Sequence, residues 1–146
     1  MQNNDNIEIT LSKKHLKVYS KCEKKAKKII PDKAAVSRTI RKARKIIERL
    51  KNIPKLEGLT ANICNFCDLL ADYFDGIYTN PPLSTVVTLV GGLLYLILPF
   101  DVISDLIPAL GWIDDTAVVA VILKTEQREV GEYLKWKESQ QSKNEG

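Results

Sequence analysis

Between Gly76 and Phe100 the chain carries no charged residue, and its last stretch, Leu83 to Phe100, consists mainly of leucine, valine and isoleucine. Such a run is stable in two settings, a protein core or a bilayer, because removing apolar surface from water contributes about 25 cal/mol per Å². Pro81 to Phe100 supplies 20 residues, which just meets the ~20 needed to cross the hydrocarbon core. Beyond it come Asp101 and Asp105, a short apolar segment from Leu106 to Ile113, the pair Asp114 and Asp115, and a final helix expected from Thr116 to Lys137. Only eight uncharged residues separate Asp115 from Lys124. A hairpin of two ordinary spans would therefore pull the paired aspartates into lipid, at ~2.5 to 3.5 kcal/mol each. Three arrangements remain: the hairpin forms the centre of a soluble bundle, dips into one leaflet, or spans once and returns obliquely. Basic flanks at both ends place both termini in the cytoplasm in either membrane case. Gly91 and Gly92 provide a surface that another helix can approach closely.

Charge is segregated along the chain. Residues 1–55 hold 17 Lys and Arg against 5 Asp and Glu, a net of +12, and residues 56–146 hold 5 against 13, a net of −8. Eight lysines lie between Lys13 and Lys28 around an apolar stripe of Leu11, Val18, Cys22, Ala26 and Ile29, the pattern of a basic amphipathic helix. Pro31 and Asp32 break it, and with Asp32 as N-cap a second helix follows, burying Val36, Ile40, Ala43, Ile47 and Leu50. A third runs from Glu57 to Asp75 on Leu59, Ile63, Phe66, Leu70 and Phe74, with Gly76 as its terminator. Its polar face carries Asp68, Asp72 and Asp75, so the second and third helices are expected to pack antiparallel with complementary charge.

These readings define an all-α chain, a small helical bundle in which residues 1–55 form a basic helical arm and residues 56–146 a C-terminal apolar helical hairpin. The basic faces, with Lys13, Lys17, Lys21, Lys24, Lys28, Arg38, Arg41 and Lys45, either pair with the acidic half or bind an anionic surface such as membrane lipid. Nucleic acid is disfavoured, since only Tyr19 interrupts the basic run and stacking platforms are missing. Three cysteines, an odd number, and a polar start without a signal-peptide pattern argue for a reducing compartment.

The segment from Tyr95 to Asp115 contains Tyr95, Pro99-x-Asp101-x-Ile103, Asp105-x-Ile107-Pro108, Gly111 and the closing Asp114-Asp115. It resembles the signature of the YkvA-like domain-of-unknown-function family, with Ser104 where the family usually has proline. Asp72 to Tyr78 is similar to the bacterial members, so the resemblance covers residues 57–137. It implies small helical proteins, often membrane-associated, sometimes appended to a RING-type ubiquitin ligase of the endoplasmic reticulum, and brings no established reaction.

Read without the family, Asp114 and Asp105 are helix caps, with Pro108 in a first turn and Gly111 ending it. The alternative gathers Asp101, Asp105, Asp114 and Asp115 into a site for a divalent cation. A catalytic reading lacks a nucleophile and base beside them, so the chain is expected to be non-enzymatic, with no cofactor unless the carboxylates hold a cation. Cys64-x-x-Cys67 falls on a helix without a second pair and reads as core. The expected function is a membrane-associated or partner-binding helical protein on the cytoplasmic side of the cell membrane. The alternatives are a soluble bundle with a carboxylate-lined cation or hydrolytic site, and a nucleic-acid-binding adaptor.

Overall fold

The computed structural model describes residues 13–102, 121–122 and 124–145, and among these the chain is helical with no strand. The elements are α1 (Lys13–Ile29), α2 (Lys33–Leu50), a 3-10 turn (Pro54–Leu56), α3 (Glu57–Phe74), α4 (Leu83–Val102) and α5 (Gln127–Glu145). Short helical segments at 121–122 and 124–125 precede α5 and end in a turn at Glu126.

Local chemistry sets the boundaries. Asp32 caps α2 as expected, its Oδ1 accepting from the amides of Ala34 at 3.1 Å and Ala35 at 3.2 Å. Gly76 ends α3 with φ of 77°, a conformation that costs glycine least. The Gly76 amide donates to the Tyr73 carbonyl at 3.1 Å and that of Ile77 to Asp72 at 2.9 Å, the paired bonds of a Schellman motif. Of the predicted stripes, Cys22, Ala26, Val36, Ile40, Ala43, Leu50, Ile63, Phe66 and Leu70 are buried, while Val18, Ile29, Ile47, Leu59 and Phe74 are only partly so; in α2, Ile46 is buried in place of Ile47, and Leu11 lies outside the described residues. α5 also runs to Glu145, past the Lys137 boundary expected from its polar sequence.

The apolar run is the bundle's central helix. Val86, Val87, Leu89, Val90 and every residue from Leu93 to Ile97 are buried. A helix apolar on all sides must be covered on all sides. α1 lies along α4, α2 and α3 pack against each other and against it, and α5 docks on α3. The small residues permit close approach as expected: a Cβ built on Gly91 would stand 3.4 Å from the Cα and 3.6 Å from the amide nitrogen of Glu23 in α1. Segment 1–55 thus supplies two helices that cover the apolar run.

This counts against one of the three arrangements left open by the sequence, the transmembrane helix from Leu83 to Phe100. Among the described residues no helix is long and apolar enough to cross a membrane. The physical reason is that the surface available to lipid on α4, from Thr85 to Ile97, is already taken up by protein side chains.

Candidate functional site

The acidic face of α3 is used internally. Asp68 accepts from Arg44 of α2 at 3.0 Å and from Lys137 of α5 at 2.9 Å, so one carboxylate joins three helices. Lys33 at the start of α2 faces Asp75 at the end of α3, at 3.8 Å. The two pairs in reversed order establish the antiparallel, charge-matched packing expected of these helices. Asp72 accepts the hydroxyl of Tyr133 at 2.7 Å. Tyr133 is fully buried and packs against Tyr78 and Trp136, with ring centroids 5.1 and 5.9 Å away. Asp72 to Tyr78 is therefore a docking element for α5: Asp72 bonds Tyr133 and closes the Schellman turn, and Tyr78 meets its ring edge to face. The sequence offered one signal for this, the i, i+4 spacing of Tyr133 and Lys137 on one helical face.

Burial, reinforced by Asp72, pushes the Tyr133 phenol well above the ordinary tyrosine range. Burial, reinforced by Glu23, does the same to Tyr19, whose hydroxyl donates to the Thr88 carbonyl at 3.3 Å. The Cys67 thiol is pushed up to about 12, again by burial, so Cys64-x-x-Cys67 pairs a deeply buried thiol with a partly exposed one. Cys67 belongs to the core and Cys64 to the margin of the same helix, and among the described residues no group of three His, Cys, Asp or Glu can hold a metal ion.

The basic face presents its charges outward. Lys17, Lys21, Lys24 and Lys28 of α1 and Arg38, Arg41 and Lys45 of α2 are all exposed, as predicted. Lys13 opens α1. Exposed Lys25, Lys27, Lys42 and Arg49 extend the face. Arg44 is set apart from it by Asp68. The segregated charge thus divides in two: one flank of α2 pairs with α3, and the rest of α2 with α1 forms a cationic surface.

Of the motif residues, Tyr95 is buried in α4, and Pro99 and Asp101 lie in its last two turns. Asp105, Pro108, Gly111, Asp114 and Asp115 lie outside the described residues, and with them both the caps read at Asp105 and Asp114 and the alternative cation site of Asp101, Asp105, Asp114 and Asp115.

Fold and surface together define a small all-α protein with a buried apolar helix at its centre, an acidic hub joining three helices, and an outward cationic face. The profile of a family described as "Protein of unknown function (DUF1232)" matches residues 85–121, which begin within α4. The chain is also similar to the "Uncharacterized membrane protein YkvA" of Bacillus subtilis (strain 168), at 36% identity over 76 residues that cover 52% of this chain and 72% of that protein. No solved structure matches. The chain belongs to the YkvA-like family of unknown function that its motif resembles.

Proposed function

We propose that this protein is a non-enzymatic, membrane-associated helical protein that lies on the anionic cytoplasmic leaflet through the cationic face of α1 and α2. The observation that carries this reading is the row of exposed Lys17, Lys21, Lys24 and Lys28 on α1, continued by Arg38, Arg41 and Lys45 on α2. Each basic residue near an anionic leaflet contributes about 1 kcal/mol, so seven acting together suffice for docking without insertion. The Bacillus relative is named a membrane protein, which supports membrane association. The buried state of α4 favours surface attachment over spanning by that helix.

Co-sedimentation with vesicles tests it. The chain should bind phosphatidylglycerol vesicles at low salt, ignore phosphatidylcholine vesicles, and be released as salt screens the charges. Replacing Lys17, Lys21, Lys24 and Lys28 by glutamine should abolish binding. Equal binding to neutral vesicles, or none to anionic ones at low salt, refutes the reading; a shift of DNA at the same salt with no vesicle binding would move the assignment to nucleic acid.

A further inference from the structure

Attachment through α1 and α2 makes no use of Cys64 and Cys67. These two stand three residues apart within α3, so the helix sets them side by side on one flank. Helix geometry puts their Cα atoms about 5 Å from each other, within the roughly 4.4 to 6.8 Å that a disulfide accepts. The two thiol groups lie within electrostatic reach of each other, and Arg44 of α2 lies within reach of both. They differ in access. Cys67 is fully buried, whereas Cys64 is half-buried in the wall of a hollow of about 250 Å³ between α2 and α3, which Arg44 also lines. A water molecule takes up roughly 30 Å³, so the hollow admits a small solute to the Cys64 sulfur.

We propose that Cys64 and Cys67 form a reversible dithiol–disulfide pair, oxidised by small hydroperoxides that reach Cys64 from the hollow. The Cys64 thiolate attacks one peroxide oxygen and the O–O bond breaks. Cys64 becomes a sulfenic acid, and the departing hydroxide regains the proton that Cys64 gave up and leaves as water. The Cys67 sulfur then attacks the Cys64 sulfur. An S–S bond forms, the S–O bond breaks, and the hydroxide released takes the Cys67 proton to give a second water. Two thiols thus lose two electrons and two protons to one hydrogen peroxide. Burial pushes Cys67 up to about 12, so it keeps its proton until the second step, and Cys64 is the sulfur that meets the oxidant. The resulting bond is a labile one. Cβ atoms three residues apart on a helix stand about 5 to 6 Å from each other, and a disulfide holds them at about 3.5 to 4.5 Å. Closing that gap strains the turn from Cys64 to Asp68, the residue that holds Arg44 and Lys137. A strained disulfide is readily reduced, so the pair suits switching and not permanent cross-linking.

The test treats the reduced full chain with a small excess of hydrogen peroxide and follows it by intact mass and non-reducing peptide mapping. The parent should lose two hydrogens, with the link mapped to Cys64 and Cys67, and should regain them in reduced glutathione. Cys22→Ala should behave as the parent does, since Cys22 is buried in α1. Cys64→Ser should resist the same dose of peroxide. Cys67→Ala should stop at the sulfenic acid of Cys64 and be trapped by dimedone, an adduct that the parent does not accumulate. Matched circular dichroism spectra check the fold of the variants, and the map of the parent decides the pairing on its own. A parent that stays reduced, or a link that maps to Cys22 or to a second chain, overturns the proposal. So does a parent that collects the dimedone adduct in place of the disulfide, or a disulfide that glutathione leaves intact.

Discussion

Replacing Gly91 by alanine and by leucine should separate the two consequences of a glycine in the middle of α4. Alanine gains about 1 kcal/mol of helix propensity over glycine in a helix interior. Its Cβ would meet Glu23 Cα at 3.4 Å, Tyr19 Oη at 3.5 Å and Glu23 N at 3.6 Å, the inner edge of ordinary contact. A few tenths of an ångström of adjustment in α1 offsets part of the gain, so Gly91→Ala should lie within about 1 kcal/mol of the parent. Leucine is different. Its further three carbons point at the backbone of α1, which cannot rotate out of the way as a side chain can. Overpacking of this kind costs about 3 kcal/mol, the upper end of the usual range. For a chain of 146 residues that is a fall of roughly 10 °C in melting temperature, at about 3 to 4 °C per kcal/mol. Thermal unfolding followed by far-ultraviolet circular dichroism reads both. A leucine variant melting within about 2 °C of the parent would show that α1 does not rest against Gly91, and the account of α4 as a covered helix would fall.

Three other outcomes follow from the same contacts. Asp68→Asn weakens bonds to both Arg44 and Lys137, whose side chains are 42% and 39% exposed, so screening holds the cost to about 1 to 2 kcal/mol. In a thermal double-mutant cycle with Lys137→Met the two changes should be non-additive; strict additivity would show that the contact carries no energy. Tyr133→Phe removes the bond to Asp72 and should cost about 1.5 to 3 kcal/mol in urea unfolding, with an unchanged midpoint as the contrary result. Alkaline pH should destabilise the fold. Cys67 holds its proton up to about 12 when folded and to an ordinary value of 9.0 when unfolded, so the unfolded chain loses the proton first and stability falls as pH rises from 9 to 12. Melting temperatures measured from pH 8 to 11 should decline, and more steeply than those of a Cys67→Ala variant; parallel curves would contradict the assignment.

Much of the architecture was legible because its causes are local. Helical spacing of apolar residues marked the core of α2 and α3, and Asp32 and Gly76 act through bonds to amides and carbonyls within a few residues of themselves. The complementary charge of the second and third helices was also readable, since Asp68, Asp72 and Asp75 share one helical face opposite a basic neighbour, although the pairs that form were not. Sequence placed the outward cations of α1 and α2 too, because residues off an apolar stripe face away from the core. The family resemblance rested on a short, dense motif running from Tyr95 to Asp115.

Other features depended on residues far apart in the chain. An apolar run has the same transfer free energy into lipid as into protein, so Leu83–Val102 by itself does not distinguish a span from a core; the packing of α1, α2 and α3 around it decides. Lys137 and Tyr133 meet Asp68 and Asp72 across more than sixty residues, a pairing that no helical period encodes. The pairing of Arg44 with Asp68 has the same origin. The cations of α2 carry the same charge in sequence, and only the helix that arrives beside them determines that Arg44 meets a carboxylate while Arg38 and Lys45 stay exposed.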